Sequence, residues 1–306
     1  MEHKSILSIK KGALYATLAA LSFAILGASM QYAQYHTTQP VVIFFRQVFS
    51  LAALSPFLMW QVGRKRSSPI KTQKLGTHIV RTIFSLLQLY ALIYALSVIS
   101  LSDAILLSYT RPLFIPIIIW IWYKKKLKKW IWLGLFLGFV GTAFIIKPEG
   151  SVFHIGAIIG LLSGFFGACS NISMRKLAKT DPPHRILFYF FALSILISAI
   201  PLVWSWSTPQ AWLWGLLFLI GVIGSIYQFA LALSYRFAKP SYISGFLYFA
   251  IVFTMIYEWI YQGIVPDLYS IVGTILIFAG TMVVSILGTR YHKGVDQAIS
   301  KTMPLK

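Results

Sequence analysis

The chain has 306 residues, of which 58% are hydrophobic and only 11% charged, where a soluble domain is about a quarter charged. Its formal net charge of +20 lies in short loops that flank apolar runs, which points to an inner-leaflet membrane surface and away from a nucleic-acid partner. A single cysteine, Cys169, excludes a disulfide framework within the chain and a cysteine-built zinc cluster.

Ten apolar runs follow one another, each near the roughly 20 residues needed to cross hydrocarbon. The first, 12–32, lacks a clear signal-peptide cleavage site and is long enough to span. The second, 40–60, carries Phe44-Phe45-Arg46-Gln47. Arg46 lies six residues past Pro40, about 9 Å below the outer surface at 1.5 Å per residue, too deep for an end anchor. It reads either as a cationic anchor for a substrate carboxylate or phosphate, or as a salt bridge to another helix. Ser50, one turn on, shares its face. The third run, 77–98, has Arg81 at its start, then Ser85 and Gln88 at i+4 and i+7, Tyr90 and Tyr94, and closes on Ala95-Leu96-Ser97.

The fourth run, 101–123, holds Asp103 near its outer end, then Tyr109 and Arg111 near mid-bilayer. Asp103 is either a capping residue on a short loop or a partner for Arg46. Pro112 and Pro116 follow Arg111; each removes an amide donor and frees an upstream carbonyl. Helices broken at the midplane are one way to build a transporter site. The alternative is a kinked helix whose Arg111 pairs with those carbonyls or with an acid. The fifth run, 130–147, follows the cluster Lys124-Lys125-Lys126-Leu127-Lys128-Lys129.

The sixth run, 154–175, spaces Ser163, Gly167 and Ser170 along one face beside Asn171. Asn171-Ile172-Ser173 matches a glycosylation sequon but sits inside a span, so it is rejected. The seventh run is 185–204. The eighth, 211–235, carries Gly221, Ser225, Tyr227 and Gln228. The ninth, 240–261, carries Ser241, Tyr242, Ser244 and Tyr248, and ends near Glu258. Glu258 reads as a proton carrier, as a counter-charge for Arg46 or Arg111, or as an interfacial belt residue. The tenth, 268–288, precedes a tail over 289–306. Small and hydroxyl residues at helical spacing read first as packing faces, with cavity lining as the alternative. The tyrosines are candidate stacking or hydroxyl partners for a ligand.

All of the 27 Lys and Arg except Lys147, Arg46 and Arg111 fall at the N-terminus, in alternate loops or in the tail. That pattern predicts cytoplasmic termini. Trp60, Trp120, Trp122, Trp130 and Trp132 mark one membrane edge; Trp204, Trp206, Trp212, Trp214 and Trp259 mark the other.

The chain also repeats. The fifth run reads Gly134-x4-Phe139-x-Gly141-Thr142 and the tenth Gly273-x4-Phe278-x-Gly280-Thr281. Ala95-Leu96-Ser97 recurs as Ala232-Leu233-Ser234, with Tyr90 and Tyr227 five residues before. Gly12-Ala13 recurs as Gly156-Ala157. The expected fold is therefore an all-α integral membrane protein of ten helices, in two five-helix repeats over 12–147 and 154–288. An odd number of helices per repeat makes the second copy enter the membrane upside down.

With these spans and motifs, the chain resembles the drug/metabolite transporter superfamily, specifically its ten-helix EamA-type members, over roughly 12–288. The best points are Phe44-Phe45-Arg46-Gln47, Tyr94-Ala95-Leu96, Arg111-Pro112-Leu113-Phe114 and the paired glycine-rich runs. The resemblance implies a secondary transporter; such families move amino acids, nucleoside-like metabolites and drugs, and similar members take up S-adenosylmethionine. One departure is that an acid often found at the cytoplasmic start of the fifth span is replaced by Lys. The expected cargo is a small carboxylate-bearing metabolite, amino acid or S-adenosylmethionine-like, crossing a bacterial inner membrane; an exporter of drugs or other metabolites is the alternative. Two intramembrane arginines against few acids favour a zwitterion or anion. Binding is assigned to Arg46, Arg111, Tyr90, Tyr94, Tyr109, Gln88, Asn171, Tyr227, Gln228, Tyr242 and Tyr248, and charge pairing or coupling to Asp103 and Glu258. Six histidines scattered over termini and loop edges, with no phosphate-binding glycine loop, HExxH or nucleophile elbow, argue against an enzyme. The partners are a small molecule and the lipid bilayer; no cofactor or metal is expected, and the oligomeric state is left open.

Overall fold

A computed structural model describes residues 2–63, 72–123, 129–146, 155–177, 180–237 and 246–284. Tyr242, Ser241, Ser244, Lys147, most of the Lys124–Lys129 cluster and the tail over 289–306 lie outside the described residues. The described residues form helices α1 (Glu2–Gln34), α2 (Gln39–Gly63), α3 (Leu75–Val98), α4 (Leu101–Ser108), α5 (Arg111–Tyr123), α6 (Lys129–Ile146), α7 (Ile155–Leu177), α8 (Pro183–Leu202), α9 (Ala211–Phe237), α10 (Phe249–Tyr257) and α11 (Leu268–Val284). Seven stretches are long and apolar enough to cross a membrane, with α4 and α5 counted as one; α6 and α11 are shorter apolar helices.

Periodicity decides which face of each helix turns inward. On α1, Ala16, Ala19, Ala20 and Phe23 are buried, while Leu14, Leu18, Leu21 and Ile25 are exposed. Leucines outward are the expected choice in lipid, where they lose nothing; small residues inward let backbones approach. α1 packs on α9 and α10, α2 on α8 and α9, α3 on α7 and α8, and α4 and α5 on α7. α10 also meets α4. The repeated glycine motifs pack against each other: a Cβ on Gly134 would stand 2.9 Å from the Gly280 carbonyl, and one on Gly141 2.8 Å from that of Gly273.

Two spans are irregular. The fourth is broken, but at Tyr109–Thr110, just upstream of Arg111. α4 starts at the N-cap Ser100, whose side chain accepts the Asp103 amide at 3.2 Å. α5 restarts at Arg111-Pro112, because a proline fits the first turn of a helix and not its interior. The ninth span ends in a π-helical turn, Glu258–Gln262, closed by Gly263 at φ 68, a left-handed value that a glycine adopts without a Cβ clash.

Candidate functional site

Between α1, α2, α3, α5, α7, α8 and α9 lies a cavity whose wall carries Arg46, Arg81 and Arg111. Neutral polar groups complete it: Ser85, Gln88, Ser170, Asn171, Tyr227 and Gln228. No described lining residue is acidic.

Arg46 is held by the α2–α9 contact. Ser50 Oγ donates to the Gly221 carbonyl at 2.7 Å, and Ser225 Oγ donates to the Ser50 carbonyl at 2.6 Å. A Cβ on Gly224 would stand 3.3 Å from Arg46 Nε, so the glycine makes room for the side chain. Arg46 is only 5% exposed. Its Nε has no hydrogen-bond partner, and the guanidinium makes no ion pair among the described residues.

Arg111 is arranged differently. Pro112 has no amide to give the Ser108 carbonyl, four residues back, so that acceptor is free. Arg111 Nε takes it at 2.8 Å, and Nη2 donates to Ser108 Oγ at 2.9 Å. The guanidinium carbon also lies 5.5 Å from the Tyr109 ring centre and 5.9 Å from that of Phe23, within cation–π range. Its aliphatic stem runs over Gly167 of α7, where a Cβ would stand 2.7 Å from Arg111 Cδ.

Arg81 is the residue that the sequence reading misplaced. Counted there with the loop cations, it is 3% exposed and faces the cavity. Nη1 donates to the Ile186 carbonyl at 3.1 Å, the guanidinium lies 4.9 Å from the Phe190 ring centre, and Nε has no partner. The signal was present in the Arg81, Ser85, Gln88 stripe. Ser85 and Ser170 hydroxyls meet at 2.6 Å and tie α3 to α7 beside it.

Of the other expected residues, Gln88, Asn171, Tyr227 and Gln228 line the cavity. Tyr109 and Tyr248 are buried behind Arg111, with Tyr248 Oη donating to the Tyr109 carbonyl at 3.1 Å. Tyr90 is outside the lining, and its carbonyl accepts Gln39 Nε2 at 2.6 Å. Tyr94 is exposed on the outer face of α3. The expected pairings of Asp103 with Arg46, and of Glu258 with Arg46 or Arg111, do not form. Both oxygens of Glu258 accept the Ser102 amide at 3.2 Å, and Asp103 Oδ1 accepts Ser270 Oγ at 3.1 Å. The start of α4 offers free amides beside α10, and the carboxylate takes those first.

A second polar cluster lies at the ends of α3 and α8. Asp181 accepts Arg185 Nη1 at 2.8 Å and Thr72 Oγ1 at 3.0 Å, and lies 3.3 Å from His78 Nε2. Burial pulls the Asp181 carboxyl upward, but hydrogen bonds from Arg185, Thr72 and His78 outweigh it and hold the group below the usual range.

The EamA-like transporter family model matches the chain twice, over residues 10–147 and 154–286. The pseudopaline exporter CntI of Pseudomonas aeruginosa is 29% identical over 280 residues, covering 90% of this chain and 96% of the relative. The riboflavin transporter of Vibrio cholerae is 26% identical over 84% of this chain and 86% of its own. The S-adenosylmethionine uptake transporter of Rickettsia bellii is 24% identical, over 79% and 81%. A solved crystal structure superposes with a TM-score of 0.61 at 15% identity, covering 93% of this chain and 98% of that one; this likeness concerns the fold alone.

Proposed function

Because the chain belongs to the EamA-like transporter family, and is thus a multi-pass membrane transporter of small molecules and not an enzyme, we propose that it works by alternating access on a carboxylate-bearing metabolite. The relatives' substrates, pseudopaline, riboflavin and S-adenosylmethionine, put its cargo among small metabolites. The observation that carries the reading is Arg46: buried, facing the cavity, with Nε unpartnered and no ion pair among the described residues. An unmatched guanidinium in low dielectric is costly unless an anion reaches it, and a carboxylate matches its fork. Tyr227 and Phe23 on the cavity wall offer aromatic faces to the flat or apolar part of the ligand. A cationic drug would need an acid in the wall, and the described lining has none.

The ten helices form two inverted five-helix units, 12–147 and 154–288, with the cavity between them. The helix contacts support this. Exchanging α1 with α7, α2 with α8, α3 with α9, α4–α5 with α10 and α6 with α11 turns α1·α9 into α3·α7 and α2·α9 into α3·α8; it also turns α1·α10 into the contacts of α7 with α4 and α5. α2·α8, α4·α10 and the glycine-mediated α6–α11 crossing map onto themselves. Both termini face the cytoplasm of a bacterial inner-membrane protein, a reading supported by the placement of Lys and Arg.

Purified protein in liposomes, screened for exchange of labelled amino acids and adenosyl metabolites, tests the function. Saturable exchange that disappears in Arg46→Gln is the expected result; exchange unchanged in that variant removes the anchoring role. For topology, single cysteines in a Cys169→Ser background are probed with an impermeant maleimide. Labelling of positions 36 and 208 from the periplasm, and of 64 and 126 only after lysis, is expected.

A further inference from the structure

The central cavity holds more positive charge than one carboxylate can match. Arg46, Arg81 and Arg111 enter it from α2, α3 and α5. Together they present about fifteen N–H donors, of which three meet acceptors among the described residues. Each residue is at most 9% exposed, so bulk water does little to screen their mutual repulsion. The second half of the chain answers with neutral groups, Ser170, Asn171, Tyr227 and Gln228. These can orient a ligand by hydrogen bonds, but they cannot balance three cations.

Arg81 also stands apart along the wall. From Arg81 to Gln88 on α3 is about 10 Å at the helical rise, with Ser85 between them. Its contacts with Ile186 and Phe190 fix the guanidinium and leave Nε without a partner among the described residues. A monocarboxylate bound at Arg46 leaves this second cation unmatched.

We infer that Arg81 is a third anion anchor and that the substrate carries at least two acidic groups, carboxylate or phosphate, one held by Arg46 and another by Arg81. This rests on the transporter reading above and narrows it: a simple amino acid is too small in charge. Arg111, already bonded to Ser108, sets the middle of the site and offers its remaining donors to whichever acid lies nearer.

The test is binding by the full-length protein in detergent, followed by thermal midpoint and tryptophan fluorescence at constant ionic strength. The probes are acetate, glutarate, citrate and glycerol 3-phosphate. Glutarate or citrate is expected to bind at least about tenfold more tightly than acetate, the difference made by one further charged hydrogen-bonded contact. Glycerol 3-phosphate carries a single acidic group, so its binding as tightly as glutarate or citrate would show that one dianionic phosphate meets both arginines and would overturn the two-acid requirement; tight binding of glutarate or citrate alone supports it. Arg81→Gln should collapse that ratio to near unity while acetate binding persists, and Arg81→Lys should restore part of it. The exposed-helix variant Lys129→Gln should match the parent. The inference is overturned if acetate binds as well as the polyanions, if no polyanion binds, or if Arg81→Gln keeps the ratio. If acetate binds and Arg46→Gln abolishes it, the anion-transporter reading survives that failure; if none of the anions binds, both fall. A midpoint for ligand-free Arg81→Gln equal to the parent's shows that the variant folds, and Arg81→Lys decides the case if it does not.

Discussion

The arginine cavity and the start of α4 both bury charge in the membrane, and they deal with it in opposite ways. At the start of α4, Glu258 is 1% exposed, yet both its oxygens accept the Ser102 amide, and Asp103 accepts the Ser270 hydroxyl. In the cavity, Arg46 is almost as deeply buried, and its Nε has no acceptor among the described residues. The difference follows from what helices leave unused. Every helix N-terminus has spare amide donors and a favourable dipole for an anion. Mid-helix carbonyls are already taken, so a cation there shares one, as Arg81 does with the Ile186 carbonyl of α8, unless a proline has released one. Arg111 has such an acceptor at Ser108, thanks to Pro112. Arg46 and Arg81 lie in uninterrupted stretches of α2 and α3 and keep donors to spare. We therefore propose that Glu258 serves the fold beside α4 and that the buried cations are left for a ligand.

The sharpest way to break that contrast is Arg46→Gln. Losing a charge-assisted contact with substrate, about 3 kcal/mol, should lower kcat/KM by on the order of 100-fold. The thermal midpoint should hold or rise, because an unmatched buried charge has been removed. A fall in midpoint with unchanged transport would make Arg46 structural.

Pro112→Ala comes next. It returns an amide donor to compete with Arg111 for the Ser108 carbonyl. We expect KM to rise by about tenfold, the effect of roughly 1.4 kcal/mol of misplacement, with little change in midpoint, since the first turn of a helix accepts proline and alanine alike. An unchanged KM would show that the break does not position Arg111.

Glu258→Ala should do the reverse. Stability should drop by about 1–2 kcal/mol, the value of a helix cap with its charge, read as a lower thermal midpoint, while KM stays within twofold of the parent's, a margin well under 1 kcal/mol. A tenfold change in KM would move Glu258 into the transport site.

The smallest effect is a pH dependence. The Asp181 carboxyl titrates below its ordinary value, so its stabilisation is present above the unfolded pKa, about 4, and is lost as pH falls through the lower folded value. Midpoints measured from pH 6 downward should fall more steeply in the parent than in Asp181→Asn. Parallel curves would remove Asp181 from the stability balance.

The apolar runs were legible because bilayer thickness acts on local sequence; the face each one buries was not. Arg46 and Arg111 could be singled out because a cation deep in an apolar run needs a reason. Arg81 escaped, since only its distance from the helix start, and not its neighbours, is written locally; the α7–α8 segment folds over it through Ile186 and Phe190. Tyr94 shows the converse: a plausible ligand partner by type, it sits on the outward face of α3.

By itself, the sequence determined that this chain is built for lipid and which two arginines are out of place there, because hydrophobic length and charge cost are properties of a segment alone. The tertiary structure alone decided which charges meet: α4 presents its free amides to Glu258, α2 and α3 turn Arg46 and Arg81 into one cavity, and no described carboxylate follows them. Whether a buried ion is satisfied depends on acceptors brought from elsewhere in the chain, and no local pattern records their arrival.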